Sequence, residues 1–266
     1  MEPTQKNSNI ADIKTPIESI SGATRSYIKE KYGLKVYFIL GGVLLVEILL
    51  LQSIFWAIAT LIAAAIFYAN IYNKVDNRFY QQIAELNGYD YQPKGFLETK
   101  GRIFQIGDNR KFEDIIQGEF ENHPLKLFTY RFITGSGKNR VEHHFTICEL
   151  TFPTRIPNIV LDAHNFSPYL SFDFNLKKLS LEGDFYKYFT LYCVPGEEIE
   201  TLQIFTPDVM QDLIEKSPKY DLEFIGDRIY IISPASLKTR TKTMAMLNFA
   251  HHLISKLKKI LPNVGV

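Results

Sequence analysis

From Val36 to Ile71 the chain runs through 36 positions in which Glu47 is the only charged residue. At ~1.5 Å per residue one helix over this run would reach ~54 Å, against ~30 Å for a hydrocarbon core, so it is too long for a single span. Divided into Lys35 to Leu51 and Ile54 to Tyr72, each half approaches a span, and Gln52 and Ser53 are left for the turn. The pattern therefore predicts a transmembrane helical hairpin over residues 35–72. One tilted span from about Ile48 to Ile71, or a re-entrant hairpin, is the other arrangement it allows. Arg25, Lys29, Lys31 and Lys35 precede the run, Lys74 and Arg78 follow it, and the turn carries no positive charge. By the positive-inside rule both termini are then cytoplasmic. Glu47 falls about one helical turn from the connection, where it is either a snorkelling surface residue or a functional intramembrane carboxylate.

The segment before the run is polar and mixed for about 35 residues, and no small-residue cleavage site follows the run, which is not the pattern of a secretory signal. Residues 1–34 are expected to be a flexible cytoplasmic tail, Met1 to about Thr24 being rich in Asn, Ser, Thr and Lys. Beyond the hairpin, Val75, Phe79, Ile83 and Leu86 recur at helical spacing and Asn87 with Gly88 supplies a stop, so residues 73–88 read as a connecting helix continuous with the second membrane helix.

From Tyr89 the periodicity changes to short runs rich in aromatic and β-branched residues: Ile115 to Phe120, Leu125 to Ile133, Val141 to Phe152 and Ile159 to Ala163. These predict an antiparallel sheet, with Thr134 to Lys138 as a hairpin loop. Leu179 to Leu181 and Phe185 to Val194 read as further strands. Thr206, Pro207 and Asp208 open a helix carrying Val209, Met210, Leu213 and Ile214, and Leu222 to Ile225 with Arg228 to Ile232 read as a hairpin across Gly226 and Asp227. Lys238 to Leu261 puts Leu247, Ala250, Leu253, Ile254, Leu257 and Ile260 on one face of an amphipathic helix. The expected fold is α+β: the N-terminal transmembrane hairpin, then a cytoplasmic domain over residues 89–266 with a mainly antiparallel sheet and covering helices.

The paired apolar helices, the stop at Gly88 and Tyr89, the segment Asp114 to Gly118, the run Phe185 to Tyr192, and Phe205, Thr206 and Pro207 with Met210 and Leu213 together resemble the bacterial family known as domain of unknown function 3137. The likeness runs from roughly Leu34 to Pro234. It implies bacterial origin, membrane attachment and an α+β cytoplasmic domain, and it carries no catalytic residue with it.

Composition narrows the function classes. Thirty Lys and Arg against 29 Asp and Glu leave a net charge of +1, unlike the basic excess of a nucleic-acid binder. Two cysteines, Cys148 and Cys193, are too few for a disulfide framework or a four-cysteine zinc site. The near-neutral total hides two opposed segments. Between Glu182 and Arg228 there are eleven acidic and four basic residues, whereas Lys238, Arg240, Lys242, Lys256, Lys258 and Lys259 face no acidic residue in the last helical region. The basic helix suggests contact of Lys256, Lys258 and Lys259 with anionic lipid, as well as ordinary packing of its apolar face.

Candidate catalytic motifs are weak. Gly135 to Lys138 resembles a phosphate loop, but Phe132 stands where Gly is required, Asn139 where Ser or Thr is required, and the segment joins two strands. His143 and His144 on a strand point to opposite faces, His251 and His252 lie about 100° apart on a helix, and His123 and His164 are isolated, so no metal set is expected. Cys148 and Cys193 lie in aromatic strands, where a thiol is an inert small hydrophobe. No cofactor and no catalytic residue is predicted. The reading is a membrane-anchored interaction module, a scaffold or sensor for a protein or lipid partner, at the inner membrane of a bacterium, with the oligomeric state open. A membrane-associated, hydrolase-like enzyme acting on lipid-linked or envelope-related substrates is the alternative.

Overall fold

The computed structural model describes residues 16–33, 35–50, 54–163, 175–181, 183–216 and 219–263. Six α-helices and seven strands form among them, a mixed architecture around a mainly antiparallel sheet. The expected turn at Gln52 and Ser53, the first fifteen residues of the tail and His164 lie outside the described residues, as does the side chain of Glu47. The chain divides into two compact units: Met1–Ile83 with Lys238–Thr241, and Ala84–Leu237 with Lys242–Val266.

The first unit is helical. Part of the segment expected as a tail is a helix, α1 (Ile20–Tyr32), because Ser19 caps it by accepting from the N–H of Gly22 at 3.2 Å and because Ile20, Thr24, Tyr27 and Ile28 form a buried stripe. It ends at Gly33, whose left-handed φ of 64° closes the last turn through its N–H on the Lys29 carbonyl. The helices α2 (Lys35–Leu50) and α3 (Ile54–Asn87) follow, and α3 runs unbroken through the stretch expected as a connecting helix. Leu40, Gly41, Leu44 and Leu45 of α2 and Thr60, Leu61 and Ala64 of α3 line one groove, so the two helices are neighbours. Along α3, Phe55, Leu61, Ile62 and Ile66 are exposed, whereas Ile71, Val75, Phe79, Tyr80 and Ile83 are buried. The change coincides with α1, which runs antiparallel to this part of α3: Ile17 donates its N–H to Gln82 Oε1 at 3.0 Å near one end, and the Tyr32 ring meets Phe67 edge-on at 5.3 Å near the other. Lys238 completes the unit, bonded to Asp76 at 3.0 Å and lying over the Tyr80 ring.

The second unit is built on the sheet. Its first strands, β1 (Asp90–Gly95), β2 (Asp108–Phe120) and β3 (His123–Thr134), form an antiparallel meander. Glu121 and Asn122, both at positive φ, make the two-residue turn between β2 and β3. The long strand β4 (Val141–Asp162) pairs through its first half with β3, as the hairpin around Gly135 predicted. Two short strands, β5 (Lys177–Leu179) and β6 (Thr190–Cys193), extend the same edge beyond β3. Two helices follow, α4 (Glu198–Ile204) and α5 (Pro207–Lys216), then β7 (Asp221–Ser233) and α6 (Arg240–Leu257). The sheet order is β1-β2-β3-β4-β6-β5, with β7 on the other edge of β4.

Three sequence expectations are corrected here. The segments 141–152 and 159–163 are one strand, since Pro153 and Pro157, which have no N–H for the ladder, fall where the register with β7 shifts and the strand bulges instead of ending. The hairpin across Gly226 and Asp227 does not form. Both of its arms pair with β4, and Gly226, opposite Ile156 at φ 66°, takes a left-handed bulge within the single strand β7. Burial decides the matter, because Leu222, Phe224 and Ile229 to Ile232 are all buried alongside β4. Finally, Phe185–Lys187 is a 3-10 turn and only Thr190–Cys193 is a strand, with Phe185 buried against the rings of Phe189 and Phe205.

Candidate functional site

One cluster of the core lies on the face of the sheet under the segment 97–106. Phe128, Tyr130 and Phe132 of β3, Phe145 and Ile147 of β4, and Tyr230 and Ile232 of β7 share that face by strand alternation, and Ile103 and Phe104 pack down on them from the segment above. Phe104 meets the Tyr130 ring at 4.9 Å and the Tyr230 ring at 5.2 Å.

Charged side chains stand among these rings. Glu223 of β7 is fully buried and accepts from the Arg102 backbone N–H at 2.8 Å and from its guanidinium at 2.9 Å. Burial pushes the Glu223 carboxyl up from its ordinary value, and the Arg102 contacts oppose that shift. Glu149 of β4, also buried, is bonded by Lys126 at 2.9 Å and approached by Arg228 at 3.4 Å, and Arg228 reaches on to the carbonyl of Glu98. Tyr230 accepts from the Lys100 N–H at 3.0 Å, and Lys100 pairs with Asp227 at 2.7 Å. These contacts fasten segment 97–106 to β7 and, through Arg228, to Glu149 of β4. The carboxylates Glu223 and Glu149 are both paired with cations, so the belt acts as a clamp.

Beside the clamp opens a cleft of about 620 Å³, lined by residues 94–101, 104–105 and 110–113. Two β-bulges shape its floor. The β2–β3 register shifts between Asp108 and Lys111 and again between Glu113 and Ile116, and Asn109 and Asp114, at φ 52° and 54°, sit in the two shifts. The four residues between them, Arg110 to Glu113, line the cleft. Arg110 donates to the carbonyls of Gly107 and Gln105, each at 3.0 Å, and Phe112 packs tilted on Tyr130. Burial pushes the Tyr130 hydroxyl up to about 12. Phe96, on the rim, is 88% exposed. Cations and rings of this kind suit recognition of a bound group by charge and stacking.

The lysines singled out in the sequence meet acidic partners. Lys256 bridges Asp208 at 2.8 Å and Asp212 at 2.9 Å, and Lys258 pairs with Glu121 in the β2–β3 turn, while Lys259 is exposed. Asp212 also binds Lys216 and His252, and its carboxyl is held far below the usual carboxylate range by Lys216 first and Lys256 next. The acidic and basic segments that alternate along the chain thus face each other where α5 meets α6.

The histidines are spent on structure. His251 bonds the Tyr89 hydroxyl at 2.9 Å and stacks on Phe120 at 3.9 Å, and burial lowers its affinity for a proton. His143 meets the Thr134 hydroxyl at 2.7 Å and stacks on Phe132, whereas His144 is directed with Arg131 to the other face. His123 bonds the Thr151 carbonyl. Cys148 and Cys193 are free and buried, and burial raises both thiols. Among the described residues no group of three or more His, Cys, Asp or Glu is placed to hold a metal ion. The residues that sequence reasoning passed over are Arg102, Glu149 and Glu223. Glu149 shares strand parity with Phe145 and Ile147, and a carboxylate in phase with core residues was the available sign.

Fold and site together define an α+β protein whose sheet domain carries a clamped, cation-lined cleft and whose chain also contains strongly apolar helices. No protein-family model and no curated protein matches the chain. Among solved structures it is similar to the crystal structure of the mycobacterial trehalose monomycolate transport factor A, with a TM-score of 0.51 and 10% identity over 68% of this chain and 93% of that one. At that identity the likeness is one of fold.

Proposed function

We propose that this chain is an integral protein of the inner, cytoplasmic membrane of a bacterium, anchored by the α2–α3 hairpin with both termini in the cytoplasm, and that its sheet domain is an interaction module, a scaffold or sensor serving an envelope-related process. The observation that carries this reading is the surface of the helical unit. Phe38 is 77% exposed and Phe55 71%, and Ile39, Leu61, Ile62 and Ile66 are exposed with them. Water disfavours exposed apolar side chains of that size and number, and hydrocarbon accepts them. Among the described residues one helix, α3, is long and apolar enough to cross a membrane, and Lys35–Val46 of α2 is a shorter apolar partner beside it. The fold shared with the mycobacterial trehalose monomycolate transport factor A supports the envelope-related assignment. The ion-paired clamp and the aromatic, cationic cleft favour binding over catalysis.

The test is topology. Reporters active only in the cytoplasm are expected to be active at either terminus, and reporters active only outside the membrane to be silent at both. An external signal at one terminus overturns the hairpin, and loss of the chain from membranes on alkaline carbonate washing overturns the anchor.

A further inference from the structure

Lys256 and Lys258, two of the lysines that suggested lipid contact, are bound to carboxylates, which leaves the question of which cations meet lipid. On residues 25–35 and 67–76 of the helical unit there are five cations, Arg25, Lys29, Lys31, Lys35 and Lys74, against Glu30 and Asp76. Asp76 is engaged by Lys238. Arg25, Lys29, Lys35 and Lys74 are exposed and form no ion pair or hydrogen bond among the described residues. Lys31 bonds the Tyr27 hydroxyl at 2.9 Å and lies over the rings of Tyr27 and Tyr32, with its side chain at the surface.

These charges lie on the second half of α1, at the start of α2 and on the part of α3 that faces α1. Tyr32 ends α1 against Phe67 of α3, and Tyr68 and Tyr72 lie 6.3 Å apart just beyond. Along the same stretch α3 changes character: Ile62 and Ile66 face outward, whereas Ile71, Val75, Phe79, Tyr80 and Ile83 are buried. A ring band at the limit of an exposed apolar surface is what a membrane interface selects, since the rings sit among headgroups while lysines reach past them to anionic charge.

We propose that the α1–α2 junction and the facing turn of α3 form a collar that binds anionic lipid headgroups and sets the depth at which the chain enters the bilayer, with α1 outside the hydrocarbon. The proposal rests on the membrane reading above. Lys29, Lys35 and Lys74 supply free ammonium groups, Lys31 braces the aromatic corner, and the unpaired charge distinguishes these lysines from Lys256 and Lys258.

The test uses the full chain purified in neutral detergent and equilibrated with equimolar phosphatidylglycerol and phosphatidylcholine. The readout is the ratio of the two lipids that co-purify. The parent chain is expected to enrich phosphatidylglycerol severalfold. The combined variant Lys29→Gln, Lys35→Gln, Lys74→Gln is expected to lose at least threefold of that enrichment, and the Lys→Arg variant at the same positions to keep it, which separates charge from misfolding. Lys256→Gln with Lys258→Gln and Lys259→Gln is expected to behave as the parent. Equal enrichment in the collar Gln variant, loss only in the α6 variant, or full competition by inorganic phosphate overturns the collar. If the parent chain washes out of membranes in carbonate, the membrane reading itself has failed. If it stays and the collar variant enriches normally, the collar alone has.

Discussion

The helical unit and the sheet unit use the same residue types in opposite ways. In the helical unit large apolar side chains such as Phe38, Phe55 and Ile62 are exposed and lysines such as Lys29, Lys35 and Lys74 stand unpaired beside them. In the sheet unit Phe128, Tyr130, Phe132 and Tyr230 are buried, and Lys126, Lys256 and Lys258 are each neutralised by a carboxylate. On the membrane reading proposed above, the contrast is one of solvent. A domain in water hides apolar surface and can spend its charges on one another, while a chain meeting lipid shows apolar surface to hydrocarbon and keeps cations for the headgroup layer.

Breaking the sheet unit's side of this contrast is expected to have the largest effect. Leu253 and Leu257 of α6 are buried, and replacing both by Asp places unpaired charge in a core. The expected loss is more than about 4 kcal/mol, read as disappearance of the cooperative urea transition of the sheet unit. A retained transition at the parent midpoint would show that α6 does not cover the core.

Next comes the clamp. Arg102→Met strands the buried Glu223 carboxylate, which still accepts the Arg102 backbone N–H, and is expected to cost about 3–5 kcal/mol in the same measurement. Adding Glu223→Leu should recover most of the loss, because removing both charges also removes the desolvation cost. A double variant no better than the single one refutes the clamp as a charge pair.

The helical unit should answer the other way. Leu61 is exposed on α3, so Leu61→Asp leaves the urea transition of the sheet unit in place. In a bilayer the same change costs about 3 kcal/mol of insertion free energy and should move the chain toward the carbonate-soluble fraction. Unchanged membrane retention would mean that this face of α3 does not meet lipid.

The smallest effect concerns pH. His251 has a folded-state pKa below its ordinary 6.5 because burial disfavours the imidazolium. The unfolded chain therefore binds the proton more readily, and stability is expected to fall as pH drops below about 6.5. His143 shifts the same way for the same first reason. His251→Gln should flatten part of the slope and His143→Gln a further part, measured as unfolding midpoints at a series of pH values. A slope identical to the parent in both variants sinks the assignment.

Periodicity alone made most of the architecture legible. The apolar run, the helix stop at Gly88, the meander from Ile115 to Phe152 and the amphipathic last helix all follow from local spacing, and α3, β2 to β4 and α6 occupy those stretches. The helix α1 was hidden because its stripe of Ile20, Thr24, Tyr27 and Ile28 is half polar and resembles a tail until α3 covers it. The reading of residues 222–232 as a hairpin fails for a related reason: Gly226 and Asp227 form a good turn locally, but β4 offers both arms a longer partner.

Charge shows the same division between what is local and what is not. The counts of acidic and basic residues in each segment are in the sequence, and so is the apolar run that calls for a non-aqueous environment. Which charges remain available is decided only by the tertiary structure. Pairing Asp208 and Asp212 with Lys256 joins residues more than forty positions apart, and fastening Arg102 to Glu223 spans 121. Spacing along a helix or strand is a local property that the sequence determines by itself, whereas neutralisation of a charge depends on which distant element packing brings within about 3–4 Å.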